Sequence, residues 1–287
     1  MSKRQDVAGR QETVIFRVLT CITALSVLLI LGVVMYITVR GWRALVEDLM
    51  GAILGTESSI LLPLFWETVY VIVGATLLAL PFGLGMAIYL SEYALHSPLA
   101  LAMRDTIDNL AKVPPIVYGL FGWGALARGQ KGASWSVIVL TLSIWMLPKV
   151  ATITLRTLEQ IPLAFRRESQ ALGASRWQTS IHAVLPCGRR QIASDILKAM
   201  ARLTGEVTPL IMLIGVEPTF GFGVPKLLSY HVYYSLIDYL RWNQAMPYGA
   251  VLLLLMMALL LQLLGVMIEP ARQQTVDYLG NQVGKGW

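Results

Sequence analysis

Six long apolar stretches follow one another along the chain and are separated by shorter polar segments. Each is long enough to cross the hydrocarbon core of a bilayer, which takes about 20 mainly apolar residues. Because unpaired backbone groups are costly in lipid, segments of this length span it as helices. The pattern predicts an all-α polytopic membrane protein with six transmembrane helices, at roughly 17–39, 66–90, 105–127, 134–155, 191–216 and 247–269.

The first apolar stretch follows Lys3, Arg4 and Arg10, as the core of a secretory signal would. However, its apolar core is longer than about 15 residues, and no small-residue cleavage site follows it. We therefore interpret 17–39 as a retained first transmembrane helix behind a short N-terminal tail, 1–16.

The basic residues predict the orientation of the spans. With the N-terminus inside, 15 of the 23 Lys and Arg residues lie in inner segments and 6 in outer ones. Inner loops are the ones enriched in these residues, so both the N-terminal tail and the C-terminal tail, 271–287, are expected in the cytoplasm. The remaining two, Lys149 and Arg202, fall inside predicted spans, where a cation is costly unless it faces protein or water.

Composition agrees with a membrane protein and excludes several classes. Of 287 residues, 56% are hydrophobic and 14% charged, and the mean hydropathy is +0.63, values foreign to a typical soluble domain. The net charge of +6 does not indicate nucleic-acid binding, because the basic residues are distributed between apolar segments. Cys21 and Cys187 lie 166 positions apart and suggest neither a disulfide framework nor a metal site.

Motifs for catalysis are missing from the sequence. No phosphate-binding loop of the form G-x-x-x-x-G-K-[ST] occurs, so this chain is not expected to hydrolyse ATP. The histidines are far apart and no zinc-protease or G-x-S-x-G pattern is present, so we predict no metal and no enzymatic activity.

A polar, basic segment, 165–186, lies between the fourth and fifth apolar stretches; we call it the coupling loop. Glu168 is expected to open a short helix, and Gly173 to supply the sharp turn after it. Apolar residues at three- or four-residue spacing from Trp177 predict a second short helix, which Pro186 ends. Such a bent pair of helices on a membrane surface is either an interfacial anchor or a docking element for a partner.

Prolines and charges interrupt two of the apolar stretches. Pro114 and Pro115 must break the third helix, because proline cannot complete the backbone hydrogen-bond ladder. In the fifth stretch, Arg202 and Glu206 are four residues apart and are predicted to share one helix face.

The same fifth stretch holds Gly205, which offers a small surface for helix packing, and Pro209, which leaves the carbonyl of Gly205 without its helical donor. A charged pair beside a free acceptor should not face lipid. It is either a polar lining of a substrate pathway or an ion pair that fixes the helix register.

The coupling loop resembles the "EAA" loop of bacterial ABC importer permeases, whose coupling helix fits a cleft on the ATPase subunit. Ser169 and Gln170 stand where that pattern has its two alanines. The resemblance implies that the matching residues contact an ATPase: Glu168, Ala171, Gly173, Ala174 and Trp177, with Leu172 and the closing Leu185 and Pro186 completing the pattern.

Among these importers, the chain resembles the PstA-like permeases of phosphate importers. The resemblance covers about 66–270 and is carried by three motifs, at 89–93, 114–122 and 202–209. In the last motif Val207 and Thr208 replace the Thr-Ala of that family. The substrate pathway implied by the resemblance includes Arg202, Glu206 and Thr208.

The resemblance also implies a fold and an assembly. The fold would be the MetI-like one of type I importer permeases, in the bacterial inner membrane. The partners would be a PstC-like second permease, a PstB-like ATPase dimer and a PstS-like periplasmic phosphate-binding protein. No cofactor is expected on this chain, since ATP would bind to the ATPase.

Other functions stay open from the sequence. A permease for another oxyanion, sulfate or molybdate, would share the coupling loop. A stand-alone secondary transporter would need inverted repeats, which are not visible. A membrane enzyme would need a catalytic cluster, which is not visible in the sequence. A scaffold subunit would not need charges within its spans.

Overall fold

The computed structural model describes residues 2–55, 59–94, 97–127, 133–215, 226–242 and 247–270, with side chains described from residue 15 and, in the helix ending at 242, to residue 237. All regular structure in these ranges is helical, as predicted. The helices are α1 (Ser2–Ile53), α2 (Leu61–Ile88), α3 (Pro98–Lys112), α4 (Pro115–Phe121), α5 (Trp135–Glu159), α6 (Leu163–Ala171), α7 (Arg176–Thr179), α8 (Leu185–Thr204), α9 (Thr208–Ile214), α10 (Leu228–Trp242) and α11 (Tyr248–Ile268). Single π-helical turns extend α2, α4 and α7, over Tyr89–Tyr93, Gly122–Leu126 and Ser180–Val184.

Four of the helical segments are long and apolar enough to cross a membrane. They are Ile15–Ile53, Leu61–Tyr93, Trp135–Glu159 and Tyr248–Ile268, and they contain most of the first, second, fourth and sixth apolar stretches. The third and fifth stretches differ, because each is divided into two shorter helices. The described residues therefore form four continuous membrane-length helices, whereas six were predicted.

The predicted break in the third stretch is confirmed. Val113 and Pro114 both have extended backbone, with ψ of 132° and 139°. Each precedes a proline, whose ring clashes with a preceding residue in the helical conformation. The chain resumes its helix at Pro115, where a proline fits the first turn because its missing N–H has no helical acceptor there.

The fifth stretch was predicted as one helix with a missing hydrogen bond, and this prediction was wrong. Helix α8 ends at Thr204, and α9 begins at Thr208 with Pro209 in its first turn. Residues 205–207 form a non-helical link. Gly205 is a weak helix former and proline favours a helix start, so the helix stops and restarts here.

The core lies between α2 and α5, which pack together along much of their length. Ala75 and Ala79 on α2 are buried, as are Met146 and Val150 on α5. Gly83 allows the closest approach, since a Cβ atom there would lie 2.7 Å from a methyl carbon of Val150. By contrast, most apolar side chains of α1 are exposed, with Leu45 as a buried exception, as expected for a surface in contact with lipid or another subunit.

Helix α10 lies between the fifth and sixth apolar stretches, in a segment where no helix was predicted. Tyr230 of this helix donates its hydroxyl hydrogen bond to the carbonyl of Gly215 at 3.0 Å. Burial raises the pKa of Tyr230 to about 12, so the hydroxyl keeps its proton for this bond at neutral pH.

Candidate functional site

The first half of the coupling loop is helix α6, which begins after Pro162. Glu168 therefore lies in the second turn of this helix and does not open it, contrary to the prediction. The predicted turn at Gly173 is confirmed, since its φ is +90°, a value that favours glycine. Around it, the amide of Gly173 donates to the carbonyl of Gln170, and the amide of Ala174 to that of Ser169.

The second half begins with a capping box. The hydroxyl of Ser175 accepts from the amide of Gln178 at 3.2 Å, and the amide of Ser175 donates to the Gln178 side chain at 2.9 Å. These bonds satisfy backbone donors that a helix start leaves free. Across the turn, the Ser169 and Thr179 hydroxyls are 3.0 Å apart and join the two halves.

The prediction that Pro186 ends the second short helix was wrong. A π-helical turn at Ser180–Val184 carries the chain from α7 directly into α8, and Pro186 occupies the first turn of α8. The wider π-turn has an altered hydrogen-bond pattern, so the absent N–H of proline breaks no regular α-helical ladder. The coupling loop is therefore continuous with a long helix of the bundle, α8.

Two large apolar side chains at the turn face solvent. Leu172 is 90% exposed and Trp177 is 59% exposed. Of the other residues assigned to ATPase contact, Glu168, Ala171 and Gly173 are exposed, and Ala174 is half-buried. The structure thus leaves most of the residues assigned to ATPase contact exposed on the coupling loop, and two of the loop's exposed side chains are large and apolar, as interface anchors are.

A buried polar contact that was not predicted from the sequence joins Arg166 of the coupling loop to Glu92. The Nε and Nη2 atoms of Arg166 lie 2.8–3.1 Å from the two carboxylate oxygens of Glu92, in the π-turn after α2. Arg166 also donates to the carbonyls of Leu158 and Ile161, at 2.9 and 2.7 Å. Only 11% of the Arg166 side chain and 7% of the Glu92 side chain are exposed.

This contact ties α6 to the ends of both core helices. Glu92 follows α2, while Leu158 lies in the last turn of α5 and Ile161 just after it. Arginine suits this place because its planar fork binds both oxygens of a carboxylate. The signal in the sequence was an acidic residue at the end of one apolar stretch and an arginine in the coupling loop, but nothing in the sequence joins two positions 74 residues apart.

A second polar cluster surrounds the link between α8 and α9. The carboxylate of Glu206 accepts from the backbone amide of Thr208 at 3.3 Å. Because Glu206 has left the helix, it does not share a helix face with Arg202, and no ion pair between them is found in this described part of the chain. Arg202 is exposed, whereas Glu206 and Thr208 are half-buried.

Lys149 of α5 also belongs to this cluster. It interacts electrostatically with both Glu206 and Arg202. Its ammonium lies 3.1 Å from the centre of the Trp145 ring. The cluster therefore holds two cations and one carboxylate next to an interruption of the bundle's helices.

The broken third and fifth stretches meet at Gly119 and Pro209. A Cβ atom on Gly119 would lie 2.8 Å from both the Cα and the carbonyl oxygen of Pro209. Helix α4 can therefore approach the first turn of α9 only because residue 119 is glycine. Of the other residues assigned to helix breaks or packing, Pro114 and Pro115 lie at the break before α4, and Gly205 is exposed in the link. Within the described ranges, no group of three or more His, Cys, Asp or Glu residues is placed to hold a metal ion.

Comparisons with known proteins agree with the resemblance seen in the motifs. No family model matches the chain. The phosphate transport system permease protein PstA 1 of Mycobacterium tuberculosis is 35% identical over 153 residues, which is 52% of this chain and 49% of that protein. PstA 2 of Mycobacterium bovis is 29% identical over 262 residues, which is 87% of this chain and 85% of that protein. The chain thus spans about half the length of the PstA 1 relatives that it matches.

Solved structures show the same architecture. The inward-facing MetNI methionine ABC transporter matches 73% of this chain and 94% of its own, with a TM-score of 0.57 and 18% identity. At this identity the match shows the fold alone. The chain shares the fold of the matched chain of that ABC transporter, and its resemblance to PstA-like permeases is confirmed by the curated relatives.

Proposed function

We propose that this chain is a membrane permease subunit of an ATP-driven phosphate importer. The observation that carries the proposal is the coupling loop: a turn with exposed Leu172 and Trp177, tied through Arg166 to the ends of α2 and α5. A loop held in this way can pass a push from a docked protein to two core helices. The similarity to the PstA relatives supports phosphate as the substrate class.

In this proposal the coupling loop docks on an ATPase dimer in the cytoplasm. Leu172 and Trp177 fill a cleft on that partner, and closure of the dimer around ATP moves the loop. The Arg166–Glu92 contact then moves α2 and α5 together, so that a packed bundle changes between two arrangements. ATP is bound and hydrolysed by the partner, and this chain needs no cofactor of its own.

The assembly has a PstC-like second permease, a PstB-like ATPase dimer and a PstS-like periplasmic binding protein. This chain forms one half of the translocation pathway. The bundle crosses the bacterial inner membrane six times with both termini in the cytoplasm, and the broken helix pairs α3–α4 and α8–α9 serve as the third and fifth crossings. Non-helical backbone at membrane depth is tolerated where it lines a pathway or is buried in protein, which suits the link at 205–207.

The pathway residues of this chain are Arg202, Glu206 and Thr208. Arg202 is exposed on the side of the cluster and pairs with the passing anion, in a forked contact where geometry allows. Glu206 accepts a hydrogen bond from the proton that phosphate still carries near pH 7. Sulfate carries no such proton, so the carboxylate repels it. Glu206 thereby selects phosphate over sulfate. A carboxylate in the pathway therefore suits a phosphate importer better than a sulfate or molybdate importer.

The experiment that tests the function is transport by the reconstituted assembly. The chain is co-purified with its second permease and ATPase, placed in sealed vesicles with the binding protein, and supplied with ATP on the ATPase side. We expect ATP-dependent uptake of labelled phosphate, little uptake of labelled sulfate, and no uptake when the ATPase is omitted. Uptake of sulfate in preference to phosphate would contradict the proposal, as would phosphate uptake by this chain alone.

A further inference from the structure

Lys149 of the core helix α5 forms no direct ion pair with the residues that the structure describes. It follows Pro148 in the predicted fourth span and is half-buried. The ion pairs found among the described residues do not include it. Lys198 of α8 offers a contrast, because its ammonium lies 2.8 Å from Glu269 and 3.6 Å from Asp195. Lys198 therefore has the contacts of a structural lysine, and Lys149 does not.

The Lys149 ammonium lies over the face of the Trp145 ring. Trp145 is buried, with 2% exposed, and the ammonium is 3.1 Å from its ring centre. The ring attracts a cation but accepts none of its hydrogen bonds in the way an oxygen does. The indole Nε1 of Trp145 is also buried, and it has no acceptor among the described residues. The Lys149 ammonium and the Trp145 indole N–H are thus hydrogen-bond donors without an oxygen acceptor in the described part of the protein.

The surroundings of Lys149 point to an anion. Lys149 interacts electrostatically with Arg202 of α8 and with Glu206 of the link that follows it. Two cations and one carboxylate give the cluster a net charge of +1. A lysine that served packing alone would gain nothing from its charge here, because an ammonium in a span is costly unless it meets an anion or water.

We propose that Lys149 is a further substrate-binding residue of the anion pathway, whose ammonium leaves the Trp145 ring to bind an oxygen of the passing phosphate. The inference rests on the proposed function and adds a residue from α5 to the three on the α8–α9 side. Arg202 and Lys149 then hold the anion from two helices, while Glu206 accepts a hydrogen bond from its hydroxyl group. With the anion gone, the ring keeps the cation in place for the next one.

The test is chemical rescue at position 149 in the reconstituted assembly. Cys21 and Cys187 are the only cysteines of the chain, and C21A and C187A remove them. Introducing K149C into this background should raise the KM for phosphate on the order of tenfold to a hundredfold, the loss expected for a charged hydrogen bond. Methanethiosulfonate ethylammonium should restore uptake, because it rebuilds a cationic side chain of similar length. Methyl methanethiosulfonate, which adds a neutral group, should not.

Two controls separate a binding role from a packing role. The cysteine-free parent with Lys149 intact receives the same reagents, which accounts for effects on partner subunits. Saturating phosphate, but not sulfate, should slow the modification of K149C. K198C provides the matched variant at a paired lysine: we expect a lower melting temperature, an unchanged KM for phosphate and no protection by phosphate.

The outcomes distinguish the two levels of the account. Failure of the cysteine-free parent to take up phosphate would overturn the proposed function itself. Phosphate uptake by the parent, together with an unchanged KM in K149C or equal rescue by the neutral reagent, would overturn the role of Lys149. If K149C does not assemble, K149M and K149R replace it: the account expects a raised KM in K149M and a KM near that of the parent in K149R, and equal KM values in both would refute it.

Discussion

The guanidinium of Arg166 and the carboxylate of Glu92 form a forked ion pair that fixes the coupling loop to the end of α2. Three nitrogen–oxygen distances of 2.8–3.1 Å define it, and both side chains are almost fully buried. The partners are 74 residues apart in sequence. A rigid contact of this kind allows movement of the coupling loop to reach α2, because a loose contact would let the loop move without the helix.

The first prediction concerns this pair. R166M should lower the melting temperature of the purified chain and uncouple ATP hydrolysis from transport. Removing one partner leaves a buried carboxylate without compensation, which costs about 3–5 kcal/mol. The measurement is a thermal melt in detergent together with ATPase and uptake rates in vesicles. R167M is the control, since Arg167 is exposed one position on, and it should behave like the wild type. If ATP hydrolysis stayed coupled to transport in R166M, the Arg166–Glu92 contact would not be what transmits the movement of the coupling loop.

The second prediction concerns the backbone at Gly173. G173I should abolish association with the ATPase while leaving the helical bundle folded. An L-residue at φ +90° is strained by roughly 1–2 kcal/mol, and a β-branched one by more. Space is not the obstacle, because nothing lies within 4 Å of a Cβ atom there. G173N should retain much of the association, since asparagine tolerates left-handed backbone. Co-purification with the ATPase measures both, and normal recovery with G173I would contradict the prediction.

The third prediction concerns the exposed aromatic anchor of the coupling loop. W177A should weaken ATPase binding on the order of tenfold or more, as expected for a buried interface anchor, without changing the melting temperature of the isolated chain. Trp123 provides a matched control because it is 58% exposed, against 59% for Trp177, but lies in the π-turn after α4. W123A should leave ATPase binding intact. Equal loss of binding in both variants would show that the coupling loop is not the docking surface.

The fourth prediction concerns ion selectivity. E206Q keeps the size of the side chain but replaces an acceptor-only carboxylate by an amide that also donates. We expect slower phosphate uptake and a smaller preference for phosphate over sulfate, by on the order of tenfold. Competition between the two labelled ions in vesicles measures it. Phosphate transport and selectivity equal to wild type would remove Glu206 from the pathway.

The fifth prediction concerns the crossing of α4 and α9. G119A should destabilise the chain by about 1–3 kcal/mol, because the added methyl group meets the Pro209 backbone at 2.8 Å. The space that the glycine leaves is already closed by backbone, which cannot rotate away. G124A is the control, since nothing lies within 4 Å of a Cβ atom there. Thermal melts of both variants decide the matter, and equal stability would contradict the tight crossing.

Features set by local chemistry could be predicted from the sequence. The break at Pro114 and Pro115 follows from the missing N–H and the ring of proline. The left-handed turn at Gly173 follows from the freedom of glycine between two helical patterns. The apolar stretches likewise predicted the four long helices, because a hydrophobic run of that length has few other folds available.

Features that depend on contacts distant in sequence could not be predicted. The placement of Pro209 was misjudged because a proline is compatible with either a kink or a helix start, and the choice depends on packing against Gly119. Pro186 was misjudged because the π-turn before it has no reliable sequence signal. The Arg166–Glu92 pair joins segments whose proximity only the folded bundle creates. Lys149 was visible as an anomaly, but its neighbours were not.

Cross-linking from position 177 shows whether the coupling loop docks on the ATPase during transport. A photoreactive benzoylphenylalanine replaces Trp177 in the full assembly, in vesicles whose ATP-driven phosphate uptake is measured on the same sample. The account predicts a cross-link to the ATPase subunit whose yield changes when ATP is bound, and no such cross-link from position 123. A vesicle preparation that takes up phosphate while position 177 cross-links to the periplasmic binding protein, or to nothing, would contradict the account.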